Sequence, residues 1–116
     1  MGKITVVHIN SASSRTVYLG RAMSARGLQG SALGNPFKLP SEAQRGSTIA
    51  RYKLWLEIML EQRDAAVRGE MNRLYKLALA GDLELGCWCA PLPCHCDVVQ
   101  AKLEAALAAR GFTSDK

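Results

Sequence analysis

Four cysteines, Cys87, Cys89, Cys94 and Cys96, fall within ten consecutive residues, and His95 stands between the last two. Thiols this close together have three chemistries open to them: disulfide bonding, metal ligation and nucleophilic attack. Disulfides fit poorly, because bridges inside so short a segment close almost no loop and leave the rest of the chain unstapled. Reduced thiols, as in a cytoplasm, are the better reading.

As metal ligands, Cys-x-Cys, four residues, Cys-x-Cys offers soft donors from Cys87, Cys89, Cys94 and Cys96 to zinc or a softer thiophilic ion. The two pairs lie closer together than in most structural zinc sites, which leaves a metal-free reading open beside the zinc one. As catalytic groups, the thiols draw on a helix. Asp97 followed by Gln100 resembles a capping box that opens a final helix, so Cys94, His95 and Cys96 fall immediately before a helix amino terminus. Unpaired N–H groups and the helix dipole favour negative charge there, which lowers a thiol pKa and invites an anion. Cys94 is then a candidate catalytic nucleophile and His95 its acid or base, in a transferase or hydrolase acting on a nucleotide-like substrate. The phosphatase arrangement of Cys, five residues, Arg is absent, since the matching positions hold Gln100 and Lys102. For Cys87 and Cys89, simple burial is the competing reading.

A second group of candidates lies early in the chain. Residues 1–56 hold eight Lys and Arg against the single acid Glu42, a net +7, while the remainder sums to −2. Such asymmetry suggests an anionic partner, either a phosphorylated small molecule or a nucleic-acid backbone, with a solvated basic surface as the plainer alternative. Arg21, following Gly20 at the end of a strand-like stretch, has the fork geometry that grips a phosphate or carboxylate. In Leu33-Gly34-Asn35-Pro36-Phe37, a turn, Asn35 bonds locally or to a ligand, and Phe37 stacks on a base or plugs the core. Neither a GxGxxG nor a Walker pattern is present. Trp88, between two cysteines, walls a pocket or shields the thiols, whereas Tyr52 and Trp55 at helical spacing read as core.

The elements that must position these groups read as strand, glycine-rich loop, two helices, strand, cysteine loop and helix. Residues 4–9 are β-branched and apolar enough for an inner strand, and residues 17–19 form a second short one. Between them and the first helix lies a long Gly-rich loop, residues 20–46, of a length that is functional or disordered in compact domains. Ser47 or Thr48 caps a helix whose apolar face is Ile49, Tyr52, Trp55, Leu56, Met59 and Leu60. A second helix runs from about residue 70 to 80, with Met71, Leu74 and Leu77 or Ala78 inward and Gly81 as its stop. Residues 83–87 read as a strand and 87–96 as a Cys-rich loop containing two prolines. The last helix begins at Asp97, buries Val99, Leu103, Ala106 and Leu107, and ends at Gly111. This order predicts a single α/β domain with a small, mainly parallel sheet flanked by helices, and a ligand site at the carboxyl ends of its strands.

Composition agrees. A chain of 116 residues, 48% hydrophobic and 22% charged, can bury one core and has too little material for two. No apolar run approaches the roughly 18 residues of a membrane span. The expectation is a cytoplasmic protein, neither secreted nor membrane-bound.

Together, Val17-Tyr18-Leu19-Gly20-Arg21, Leu33-Gly34-Asn35-Pro36-Phe37, Arg45 with the helix face that follows it, Cys87-Trp88-Cys89, Cys94-His95 and Asp97-Val98 resemble domain-of-unknown-function family 4326. Its members are small single-domain proteins of bacteria and their phages, and the resemblance spans roughly residues 17–107. It implies one site that groups Tyr18, Arg21, Asn35, Arg45, Cys94, His95 and Asp97. Cys96 stands where the family carries Gly, which implies that this thiol lies outside the shared chemistry. The resulting expectation is a domain that binds, with or without modifying, a small anionic, nucleotide-like ligand. Cys94 and His95 are its catalytic candidates, and Tyr18, Gly20, Arg21, Asn35, Phe37, Arg45, Trp88 and Asp97 its ligand-binding ones. The alternative is a zinc-stabilised basic module for nucleic acid or a protein partner.

Overall fold

The computed structural model describes residues 2–11, 13–20, 30–34, 45–88 and 94–109, apart from the side chain of Arg45. Three strands, β1 (Ile4–His8), β2 (Thr16–Tyr18) and β3 (Leu83–Cys87), form a sheet in the order β1-β3-β2. Every pairing is parallel, with Ile4 opposite Leu83, His8 opposite Cys87 and Tyr18 opposite Gly86. Parallel pairing of distant strands requires crossovers, and these are supplied by α1 (Arg45–Glu61) with α2 (Ala65–Ala80) between β2 and β3. A third helix, α3 (His95–Ala109), follows β3. The predicted small parallel α/β sheet is thus present.

Residues in register share a face, so Ile4, Leu83, Leu85 and Cys87 point the same way, and all four are buried. Against them pack the inner faces of the three helices, which also touch one another. Tyr52 and Leu56 come from α1, Met71, Leu74 and Ala78 from α2, and Val99 and Leu103 from α3. The opposite face carries exposed Thr5 and half-buried Glu84 and Thr16. There the hydroxyls of Thr16 and Ser13 donate to Glu84 Oε1 at 2.7 and 2.9 Å and hold its carboxyl below the usual range. Gln100 Nε2 donates to the Ile4 carbonyl at 2.8 Å, which ties α3 to the start of β1.

Helix boundaries depart from the sequence expectation in instructive ways. α1 starts at Arg45, before the Ser47 and Thr48 read as caps, and Thr48 is itself buried. α2 starts at Ala65, five residues earlier than the periodicity suggested. Between Ala65 and Glu70 only Val67 carries a large apolar side chain, so the pattern is faint, but Asp64 accepts a hydrogen bond from the Val67 N–H and caps the helix. Ala78, not Leu77, faces inward; Leu77 is exposed. α3 begins at His95, so His95 and Cys96 belong to its first turn rather than to a loop before it. Gln100 binds Ile4 instead of completing a capping box. The Gly111 stop lies outside the described residues.

The α1–α2 junction is a Schellman turn. Asp64 N–H donates to Met59 O at 2.9 Å and Arg63 N–H to Leu60 O at 3.2 Å, with Arg63 at φ 60. Glycine occupies that left-handed position most readily, because a Cβ there crowds the backbone. Arg63→Gly is expected to stabilise the domain by about 1 kcal/mol, seen as a higher urea midpoint with an unchanged slope.

Candidate functional site

Cys87 closes β3, and Cys94 and Cys96 lie at the start of α3, so the end of the central strand and the start of the last helix bring their sulfurs together. All three thiols are buried, and their Sγ atoms lie within 4.8 Å of one another. Cys94 Sγ is 3.3 Å from Cys87 Sγ, and Cys96 Sγ is 3.9 Å from the Gly86 carbonyl. Three buried cysteines this close together can share a metal ion.

Local bonding fixes the turn. Asp97 Oδ2 accepts from the Cys94 N–H at 3.0 Å, and the Asp97 N–H donates to the Cys94 carbonyl at 3.0 Å. Cys94 is therefore the cap residue, and Asp97, three positions on, supplies the returning half of a capping box. The sequence reading had Asp97 as the cap itself; its carboxylate instead holds the backbone of the cysteine turn.

The electrostatics oppose a free thiolate. Cys94 is pushed up to about 12, chiefly because Cys87 is hydrogen-bonded to it, with burial adding to the shift and Cys96 opposing it. Cys96 is also raised, by its bonds to Cys87 and Cys94 and then by burial. The bond to Cys87, with burial behind it, thus outweighs the helix amino terminus that the sequence suggested would lower Cys94. His95 is buried, and its Nε2 lies 2.7 Å from the Leu19 carbonyl. A carbonyl only accepts, so Nε2 carries the proton. Burial holds this imidazole below its ordinary pKa, against the opposing pull of Leu19. Its ring meets the edge of Tyr52 at 5.1 Å, and the Tyr52 hydroxyl, raised by burial, donates to the Leu33 carbonyl at 2.6 Å.

Above the thiols, the three strands end in rings. His8 ends β1, Tyr18 ends β2, and Trp88 follows the last residue of β3. Trp88 meets His8 edge-on at 5.9 Å, and its Nε1 donates to the Tyr18 hydroxyl at 2.9 Å. Tyr18 and His8 are half-buried, while Trp88 is 37% exposed. His8 Nδ1 accepts from the Asn10 N–H at 3.1 Å. Gly20 lies against Tyr18 so closely that a Cβ would collide with the phenol.

The sequence-predicted residues divide accordingly. Tyr18, Gly20 and Trp88 gather at the strand ends, and Cys87, Cys94, Cys96, His95 and Asp97 gather around the turn beneath. Cys96 joins the cluster despite its departure from the family pattern. Arg21, Asn35, Phe37, Cys89 and the Arg45 side chain lie outside the described residues. Sequence reasoning missed His8, although a histidine at the last position of a strand was a usable signal; it also read that strand as an inner one, whereas β1 pairs only with β3 and lies at the sheet edge. It also missed that Tyr52 and His95 hold loop carbonyls.

The fold and the site define a small α/β domain with buried thiols under the carboxyl edge of a parallel sheet. The chain belongs to the family described as Domain of unknown function (DUF4326), whose model matches residues 7–105. No curated protein and no solved structure matches it.

Gly20→Ala is expected to push Tyr18 aside, break its bond to Trp88 and cost about 1–3 kcal/mol. Tryptophan emission in a Trp55→Phe background, where Trp88 is the sole indole, should shift to the red.

Proposed function

We propose that this domain binds a small anionic, nucleotide-like ligand in the cytoplasm, at the carboxyl ends of its three parallel strands. One observation carries the reading: His8, Tyr18 and Trp88 are delivered side by side to the edge where parallel sheets collect ligands. Half-exposed aromatic rings stack on planar bases. The +7 charge of residues 1–56, which include β1 and β2, supplies the attraction for phosphate. Binding fits the geometry better than turnover, because Cys94 is 3% exposed and a protonated, buried thiol is a poor nucleophile.

In a Trp55→Phe background, ATP, GTP and their monophosphates are titrated while Trp88 emission is followed. Saturable quenching is expected, and Trp88→Ala, followed by calorimetry because it removes the reporting indole, should weaken binding about 5- to 100-fold, the range of one base-stacking contact. No saturation with any of these nucleotides would overturn the reading.

A second reading, a zinc-stabilised basic module that engages nucleic acid, is favoured by the clustered sulfurs of Cys87, Cys94 and Cys96. It predicts that affinity for a DNA or RNA oligonucleotide falls linearly in log–log fashion with salt, with a slope set by the phosphates contacted. A salt-independent affinity would exclude it.

A further inference from the structure

We propose that Cys87, Cys94 and Cys96 form a three-thiolate site for a soft divalent cation, of the zinc and cadmium class, that staples the end of β3 to the start of α3. The proposal deepens the zinc element of the second reading, but it rests on the sulfurs alone and stands whatever occupies the strand ends.

Distances come first. Zinc–sulfur bonds of about 2.3 Å in tetrahedral geometry place sulfurs about 3.8 Å apart. The three sulfurs here, at 3.3 Å for the Cys87–Cys94 pair and within 4.8 Å overall, bracket that edge length. Shifts of up to about 1 Å bring them onto a common cation. Burial also favours the assignment. Three thiols in a dry pocket repel as thiolates and make weak hydrogen bonds as thiols, whereas a dication satisfies all three at once.

Charge balances as well. Binding M²⁺ to three thiols releases three protons to solvent and leaves a net charge of −1 on the complex. Two of the three sulfurs that share it, Cys94 at the cap and Cys96 in the first turn of α3, lie where the helix N–H groups and dipole favour it. No oxidant or reductant is needed, since zinc stays divalent. His95 is not a ligand through Nε2, which is committed to the Leu19 carbonyl. It stands beside Cys96, 4.0 Å away, and holds the chain after β2 against the site. Cys87 and Cys94 bracket the segment that begins with Trp88, so one ion fixes both ends of it.

The test uses the full chain purified under reducing conditions without chelator. Elemental analysis is expected to give one zinc per chain. Cobalt(II) added to demetallated wild-type protein should produce a thiolate-to-metal charge-transfer band with the intensity of three sulfurs, a readout that does not depend on any variant folding. Strong chelation should lower Tm by about 10 °C. Cys87→Ser and Cys94→Ser should each lose zinc at least tenfold, while Cys89→Ser retains it. Three outcomes would each overturn the proposal: no charge-transfer band in reduced wild type, a Cys87–Cys94 disulfide in protein kept free of oxygen, or loss of zinc in Cys89→Ser equal to that in Cys87→Ser. Nucleotide and oligonucleotide binding are measured on the same samples. Their absence in zinc-loaded protein would sink the functional readings and leave the metal site standing.

Discussion

The two-sided pairing of β3 is the constraint on which this molecule depends. As the central strand it must bond to β1 on one edge and β2 on the other, and both partners must run in its own direction. Parallel direction puts three carboxyl ends at one edge of the sheet. His8, Tyr18 and Trp88 become neighbours for that reason alone, although 70 residues separate Tyr18 from Trp88. The same pairing buries Cys87, because its register with His8 places it on the helix-covered face.

The chain then has to satisfy the backbone it leaves outside the ladders. The Leu19 carbonyl, just past β2, and the Leu33 carbonyl, in the stretch before α1, are taken by His95 and Tyr52 from two different helices. An unpaired buried carbonyl costs about 1–3 kcal/mol, so these two side chains are anchors as much as core. Among the described residues no buried side-chain nitrogen or oxygen lacks a partner. His95 therefore reads more simply as the residue that fastens the β2 exit to α3 than as a proton shuttle. Its proton is already engaged, and burial keeps it neutral.

At the thiol cluster two electrostatic effects compete. A helix amino terminus contributes a partial positive charge, enough to stabilise one exposed thiolate by roughly 1 kcal/mol. For Cys94 the bond to Cys87 and then burial act in the opposite direction and dominate, although Cys96 pulls the other way; for Cys96 both neighbouring sulfurs and burial raise the thiol. A whole positive charge placed among the sulfurs reverses that balance, which a dipole cannot.

Much was legible from residue order. The alternation of strand and helix patterns predicted a parallel α/β sheet, the apolar spacing of Tyr52, Leu56, Val99 and Leu103 predicted faces that are buried, and the close spacing of four cysteines marked a segment in which three of the sulfurs, Cys96 unexpectedly among them, come together. These are local properties, carried by period, turn chemistry and short separation. Helix starts were less legible, because caps such as Asp64 and Cys94 act through one hydrogen bond rather than through a pattern. What tertiary structure alone decided is which distant groups meet: His8 with Trp88, His95 with Leu19, Gln100 with Ile4. Register and burial set those meetings, and with them the protonation of the thiols, because desolvation is a property of the packed core and is written in no single segment of the chain.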